Sequence, residues 1–163
     1  MSIFHFFKKK SEPFLINDAL GTFKRQKKTN FYHGSIKWID EDVYVSLHCD
    51  SVDSLTANIA LENLRKITVK AEEWDKKIKK YIADDMSDQN GMVEIWGDDM
   101  DNDNDISQIT KKEFLSRISI GFIHLYPNGE IFFDYNMDGM FTDHGMGVYA
   151  NISGKISSCE LWG

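Results

Sequence analysis

"DVYVSLHC", residues 42–49, decides the reading of the fold. Val43, Val45, Leu47 and Cys49 fall on one side of an extended chain, and Tyr44, Ser46 and His48 on the other. Side chains alternate across a strand, so the pattern describes a half-buried strand with one face on a core. A sheet with one face on a core and one turned outward is characteristically antiparallel. Upstream, "FYHGSIKWI" (31–39) puts Tyr32, Gly34, Ile36 and Trp38 on one face. "LGTFKRQ" (20–26) is a further strand, and the polar "KKTN" (27–30) reads as the hairpin turn between them.

Downstream the period changes. Leu55, Ile59 and Ile67 recur at roughly helical spacing over 52–68, with Asp53 or Ser51 as candidate caps. Trp74, Ile78, Tyr81 and Ile82 form the clearer stripe of a helix over 71–85, whose other face is charged. Thr110 and Glu113 stand at capping-box spacing and predict a short helix over 111–118. The rest is strand and turn. "RISIGFIHLY" turns at "PNGE" into "IFFDY", and "GVYANI" turns at "SGK" into "ISSCELW". The order β then α then β, without parallel alternation, predicts an α+β domain: an antiparallel sheet packed with two or three helices. Strands are expected at 20–49 and 118–162, with Val45, Leu47, Trp74, Ile78, Ile82 and Phe122 buried. Residues 1–18 read as a lead segment and 19–163 as the single domain.

The chain has 163 residues, 42% apolar and 28% charged, a globular balance with enough length for a core. Its net charge of −7 argues against nucleic acid or an anionic membrane as direct partner and for a basic protein. Cys49 and Cys159 lie in strand patterns and read as buried thiols, neither a disulfide framework nor a zinc site. The opening "MSIFHFFKKK" has its charges on the wrong side for a signal peptide, so a reduced, cytoplasmic setting is expected.

"DYNMDGMFTDHG" (134–145) begins like a calcium loop, with Asp134, Asn136, Asp138 and Gly139 in places one, three, five and six. Gly145 stands where the bidentate Glu belongs, and the flanks read as strands. A second acidic run from Asp99 offers Asp101, Asp103 and Asp105 but closes on Thr110. No tight calcium site is expected in either, and a polar turn is preferred to a metal-binding module. His144 beside Asp134, Asp138 and Asp143 could serve a hydrolase. The other histidines, His5, His33, His48 and His124, are scattered without ligand spacing. No nucleophile elbow or phosphate loop is present, so neither an enzyme nor a cofactor is expected. Trp96 borders the acidic Asp98, Asp99, Asp101, Asp103 and Asp105, a pairing suited to a basic protein partner. The outward side of the first strand, Tyr44, Ser46 and His48, is the alternative surface.

"ITKKEF", "RISIGFIHLYPNGEIFFDY", "DGMFTDHGMGVYANISGKI" and the terminal "ELWG" together resemble the bacterial domain-of-unknown-function family 2262. Asp138, Gly139, Phe141, His144 and Val148 stand at its motif places, and "LGTF" and "FYHGSIKW" match its opening strands. Asp143 departs from the family's glycine before the histidine. The likeness is loose over 20–163 and closer over 110–163. It implies that 134–145 is a turn between strands, with His144 pinning the next strand by a hydrogen bond. Small acidic proteins of this kind accompany secreted bacterial toxins as immunity, or antitoxin, proteins. The resemblance therefore implies a cytosolic binding protein that neutralises a basic toxin domain by direct contact.

Overall fold

The structure, a computed structural model, describes residues 15–25, 28–50, 54–96 and 108–163. Four strands open the described chain: β1 (Leu15–Asp18), β2 (Gly21–Arg25), β3 (Phe31–Trp38) and β4 (Glu41–His48). Two helices follow, α1 (Ser54–Thr68) and α2 (Ala71–Met86). Two short strands, β5 (Met92–Glu94) and β6 (Gln108–Thr110), pair with each other and bracket the acidic run. Then come α3 (Lys111–Arg117) and strands β7 (Ser119–Leu125), β8 (Glu130–Asn136), β9 (Gly145–Asn151) and β10 (Ile156–Trp162). Eight strands form one sheet in the order β1-β2-β3-β4-β7-β8-β9-β10. The fold is α+β, as expected. The last four residues of the lead segment form β1, paired with β2.

The sheet departs from the expectation at one seam. Every pairing is antiparallel except β4 with β7, which run parallel. Parallel neighbours need a long crossover, and here the segment carrying the three helices supplies it. Phe122, expected in the core, is partly exposed. A bulge between Ile120 and Phe122 inserts Gly121, so these two isoleucine-spaced positions land on opposite faces. Ile120 and Ile123 are buried in its place.

Trp74, Ile78 and Ile82 of α2 are buried, as are Val45 and Leu47. In α1 the expected stripe is corrected. Ile59 is half exposed, and the buried row is Ala57, Ala60, Leu61, Leu64 and Ile67. Those residues follow the i, i+3, i+4, i+7 progression, from which Ile59 is displaced by nearly half a turn. Leu55, Ser51 and Asp53 lie outside what is described of the side chains. The Thr110 hydroxyl accepts from the Glu113 N–H at 3.2 Å and starts α3, whose Phe114 is buried. Arg117 at its end pairs with Asp138 at 2.7 Å, tying α3 to the β8–β9 turn. All three helices therefore bear on one side of the molecule, and the other face of the sheet stays uncovered by any described element.

Candidate functional site

Register identifies the residues of that second face. Tyr44 of β4 sits opposite Phe122 of β7, which sits opposite Asp134 of β8, which sits opposite Gly147 of β9 and then Glu160 of β10. The adjacent row runs His33, Ser46, His124, Phe132, Tyr149 and Ser158. The rings form a continuous surface. Tyr44 stacks on Phe122, Phe122 on His124 at 4.5 Å, and His124 meets Phe132 edge-on at 5.5 Å. Phe132 packs on Tyr149 at 4.9 Å and against Trp162 at 6.5 Å. Tyr44, Tyr149 and Trp162 are 66%, 41% and 48% exposed. The rings are contiguous across five strands, the outer ones exposed and Phe122, His124 and Phe132 partly buried between them.

Glycine makes room for part of it. A Cβ on Gly147 would lie 2.6 Å from the Phe132 ring, and one on Gly145 would lie 3.0 Å from the Asp134 carboxylate. Trp162 therefore lies across two side-chain-free positions of β9 and donates its indole N–H to Asp134 at 3.3 Å. Burial raises the Asp134 carboxyl above the usual range, and the Trp162 bond partly offsets this. Tyr149 donates its hydroxyl to Glu160 at 2.9 Å. Asp42 and Glu130 lie on the same face, Asp42 paired there with Lys37 at 3.1 Å.

His48 and His124 come together here. Nε2 of one lies 3.1 Å from Nδ1 of the other, His48 stacking on Tyr126 at 4.2 Å. Burial pushes His124 down to about 4, with His48's charge adding to it, and burial also lowers His48. Sequence spacing missed this pair because only the parallel seam makes β4 and β7 neighbours. A depression of about 520 Å³ opens beside it, lined by Tyr126, Glu130, Phe132, Tyr149, Ser157 and Ser158.

Of the residues singled out from sequence, Asp134 and the alternative set Tyr44, Ser46 and His48 lie on this face, with Ser46 buried; the other described ones fall elsewhere. Trp96 is half exposed and stands edge-on to Phe141 and His144 beside the β8–β9 turn. Asp98, Asp99, Asp101, Asp103 and Asp105 lie outside the described residues. The calcium-like positions diverge: Asp134 faces Trp162, Asn136 accepts from the Asp138 N–H at 2.8 Å, and Asp138 pairs with Arg117. Among the described residues no three His, Cys, Asp or Glu side chains gather as a metal-ligand set. The turn joins two strands, as the resemblance implied. His144, however, bonds within the turn rather than to the next strand: its Nδ1 meets the Phe141 carbonyl at 3.1 Å and the Thr142 hydroxyl at 3.0 Å. Asp143 is 3.5 Å away. Neither cysteine is in a disulfide. Cys49 is buried, while Cys159 is only partly so, its thiol pushed up to about 12 by burial first and then by Asp85.

Fold and face define a small α+β domain, helices on one side of its sheet and an aromatic surface with Glu130 and Glu160 at its edge on the other. Among the described residues no helix is long and apolar enough to cross a membrane. The chain belongs to the domain-of-unknown-function family 2262, described as an uncharacterized protein conserved in bacteria, whose model matches residues 17–161. No curated protein and no solved structure gives a significant match.

Proposed function

We propose that this protein binds a basic partner protein through the uncovered sheet face and acts in the cytoplasm as an immunity protein of a toxin–immunity pair. The observation that carries this reading is the unbroken row Tyr44–Phe122–His124–Phe132–Tyr149 with Trp162 beside it, exposed at Tyr44, Tyr149 and Trp162 and edged by Glu130 and Glu160. Aromatic anchors give a docked complex its lifetime, and surrounding acids speed encounter with a basic surface. Toxins that act on nucleic acid need a basic surface for their substrate, and an inhibitor of net charge −7 is complementary to it. Trp96 and the acids Asp98, Asp99, Asp101, Asp103 and Asp105 serve the same encounter.

The test is co-expression with the toxin domain encoded at the same locus. A double variant, Tyr149→Ala with Trp162→Ala, should lose protection through faster dissociation. A variant with Asn at the five acids should associate more slowly, with a flatter salt dependence. Wild-type protection by both variants, or no binding of that domain at all, sinks the proposal.

A further inference from the structure

We infer that the depression between Tyr126, Phe132 and Tyr149 is a cage for one guanidinium group, contributed by an arginine of the docked partner. This deepens the docking reading above and rests on it for the partner, though the cage can be tested alone. Three rings line one depression with the carboxylate of Glu130, and a second carboxylate, Glu160, adjoins it through the Tyr149 hydroxyl at 2.9 Å. At about 520 Å³ it lies within the range of pockets that hold small ligands, roughly 300–1,000 Å³.

The chemistry selects the occupant. Aromatic faces attract a cation through their quadrupole, and a carboxylate supplies the counter-charge. An apolar side chain placed there would strip water from Glu130 and return nothing. Arginine is preferred to lysine, because a planar guanidinium can stack on a ring and reach a carboxylate with its fork at once. Burial and the charge of Glu130 together hold the Tyr126 hydroxyl protonated to higher pH than usual, in keeping with a carboxylate close by.

The walls are braced by their neighbours. Tyr126 is backed by His48 at 4.2 Å with the rings 18° from parallel, and Phe132 is held between His124 and Trp162. Cage and histidine pair are thus one construction: the pair braces the rings, and the rings meet the cation. A preformed site loses little freedom on binding.

The experiment uses the full chain and three blocked glycine-flanked peptides carrying arginine, lysine or the neutral isostere citrulline, followed by NMR of the aromatic side chains. The arginine peptide should bind in the millimolar range and shift Tyr126, Phe132 and Tyr149. Citrulline should bind roughly tenfold more weakly and lysine in between. Glu130→Gln and Tyr149→Ala, both at exposed positions, should each weaken arginine binding several-fold, and Val69→Ala, exposed in the turn between α1 and α2, should leave it unchanged. Equal binding of arginine and citrulline, shifts confined to other residues, or no shift at millimolar peptide overturns the cage. Arginine binding without any locus-encoded toxin partner would retain the cage and remove the immunity reading. Toxin binding without arginine selectivity would do the reverse.

Discussion

His48 and His124, 76 positions apart in the chain, share a single hydrogen bond between Nε2 and Nδ1 at 3.1 Å. Both rings are partly buried among aromatics, and burial holds both below the ordinary histidine range, His124 at about 4. The unfolded chain takes up these protons near pH 6.5, while the folded protein resists. Protons thus favour the unfolded state as pH falls below 6.5, so the contribution is whole above that value and is lost toward pH 4. The thermal midpoint should therefore drop between pH 7 and 5, by a loss on the order of 1–2 kcal/mol. His124→Gln should flatten that slope. The lowered carboxylates Asp18, Asp84 and Asp88 titrate below this window. A pH-independent midpoint between 7 and 5 would show that the pair is not held neutral.

Gly147→Ala should be destabilising for a steric reason alone. The new methyl would sit 2.6 and 2.8 Å from two Phe132 ring carbons and 3.3 Å from Trp162. Forcing those rings aside costs about 1–3 kcal/mol, read as a lower denaturant midpoint, and Trp162 fluorescence should change with it. Gly139→Ala is the contrast. Nothing lies within 4 Å of its Cβ, but its φ is +69°, so the cost there is backbone strain of about 1 kcal/mol. A neutral Gly147→Ala would mean the two rings do not rest on β9.

Tyr135 crosses from sheet to helix. Fully buried on β8, it donates its hydroxyl to Asp75 of α2 at 2.8 Å, and Lys79 pairs with the same carboxylate at 3.2 Å. Tyr135→Phe keeps the packing and removes one bond to a charged acceptor, for an expected loss of about 1–2 kcal/mol. Urea unfolding should show a shifted midpoint at constant slope. An unchanged midpoint would remove this bond from the account of how α2 is held.

Calcium should not bind tightly at residues 134–145. Asp134, Asn136 and Asp138 point to three different partners, and Gly145 offers no bidentate carboxylate. Calorimetry should detect no micromolar site, and added calcium should leave the melting temperature in place. Micromolar binding abolished by Asp134→Ala would refute this.

Local patterns were legible because their periods are local. Alternation in "DVYVSLHC" put Val43, Val45 and Leu47 in the core, and the i, i+4, i+8 spacing of Trp74, Ile78 and Ile82 put α2 against it. Thr110 announced α3, and the turn at 134–145 showed itself by its missing ligand. Two residues expected to face inward lie outward for equally local reasons. Ile59 lies off the α1 stripe, and one inserted residue, Gly121, reversed the parity that would have buried Phe122.

The face could not be read that way. An alternating strand says that one side is outward but not which strands lie beside it, so Tyr44, Phe122, Phe132, Tyr149 and Trp162 look like separate aromatics in the chain. Nothing adjacent to Trp162 in the chain marks it as exposed. Only the glycines opposite it and its bond to Asp134 explain how it lies exposed. The sequence by itself determined the α+β class, the helices, the turns and the acidic charge, each set by residues within a few positions of one another. Tertiary structure alone decided the parallel meeting of β4 and β7, and with it the histidine pair and the aromatic surface. Strand order depends on which long loop closures the whole core repays, a sum over the fold that no single stretch carries.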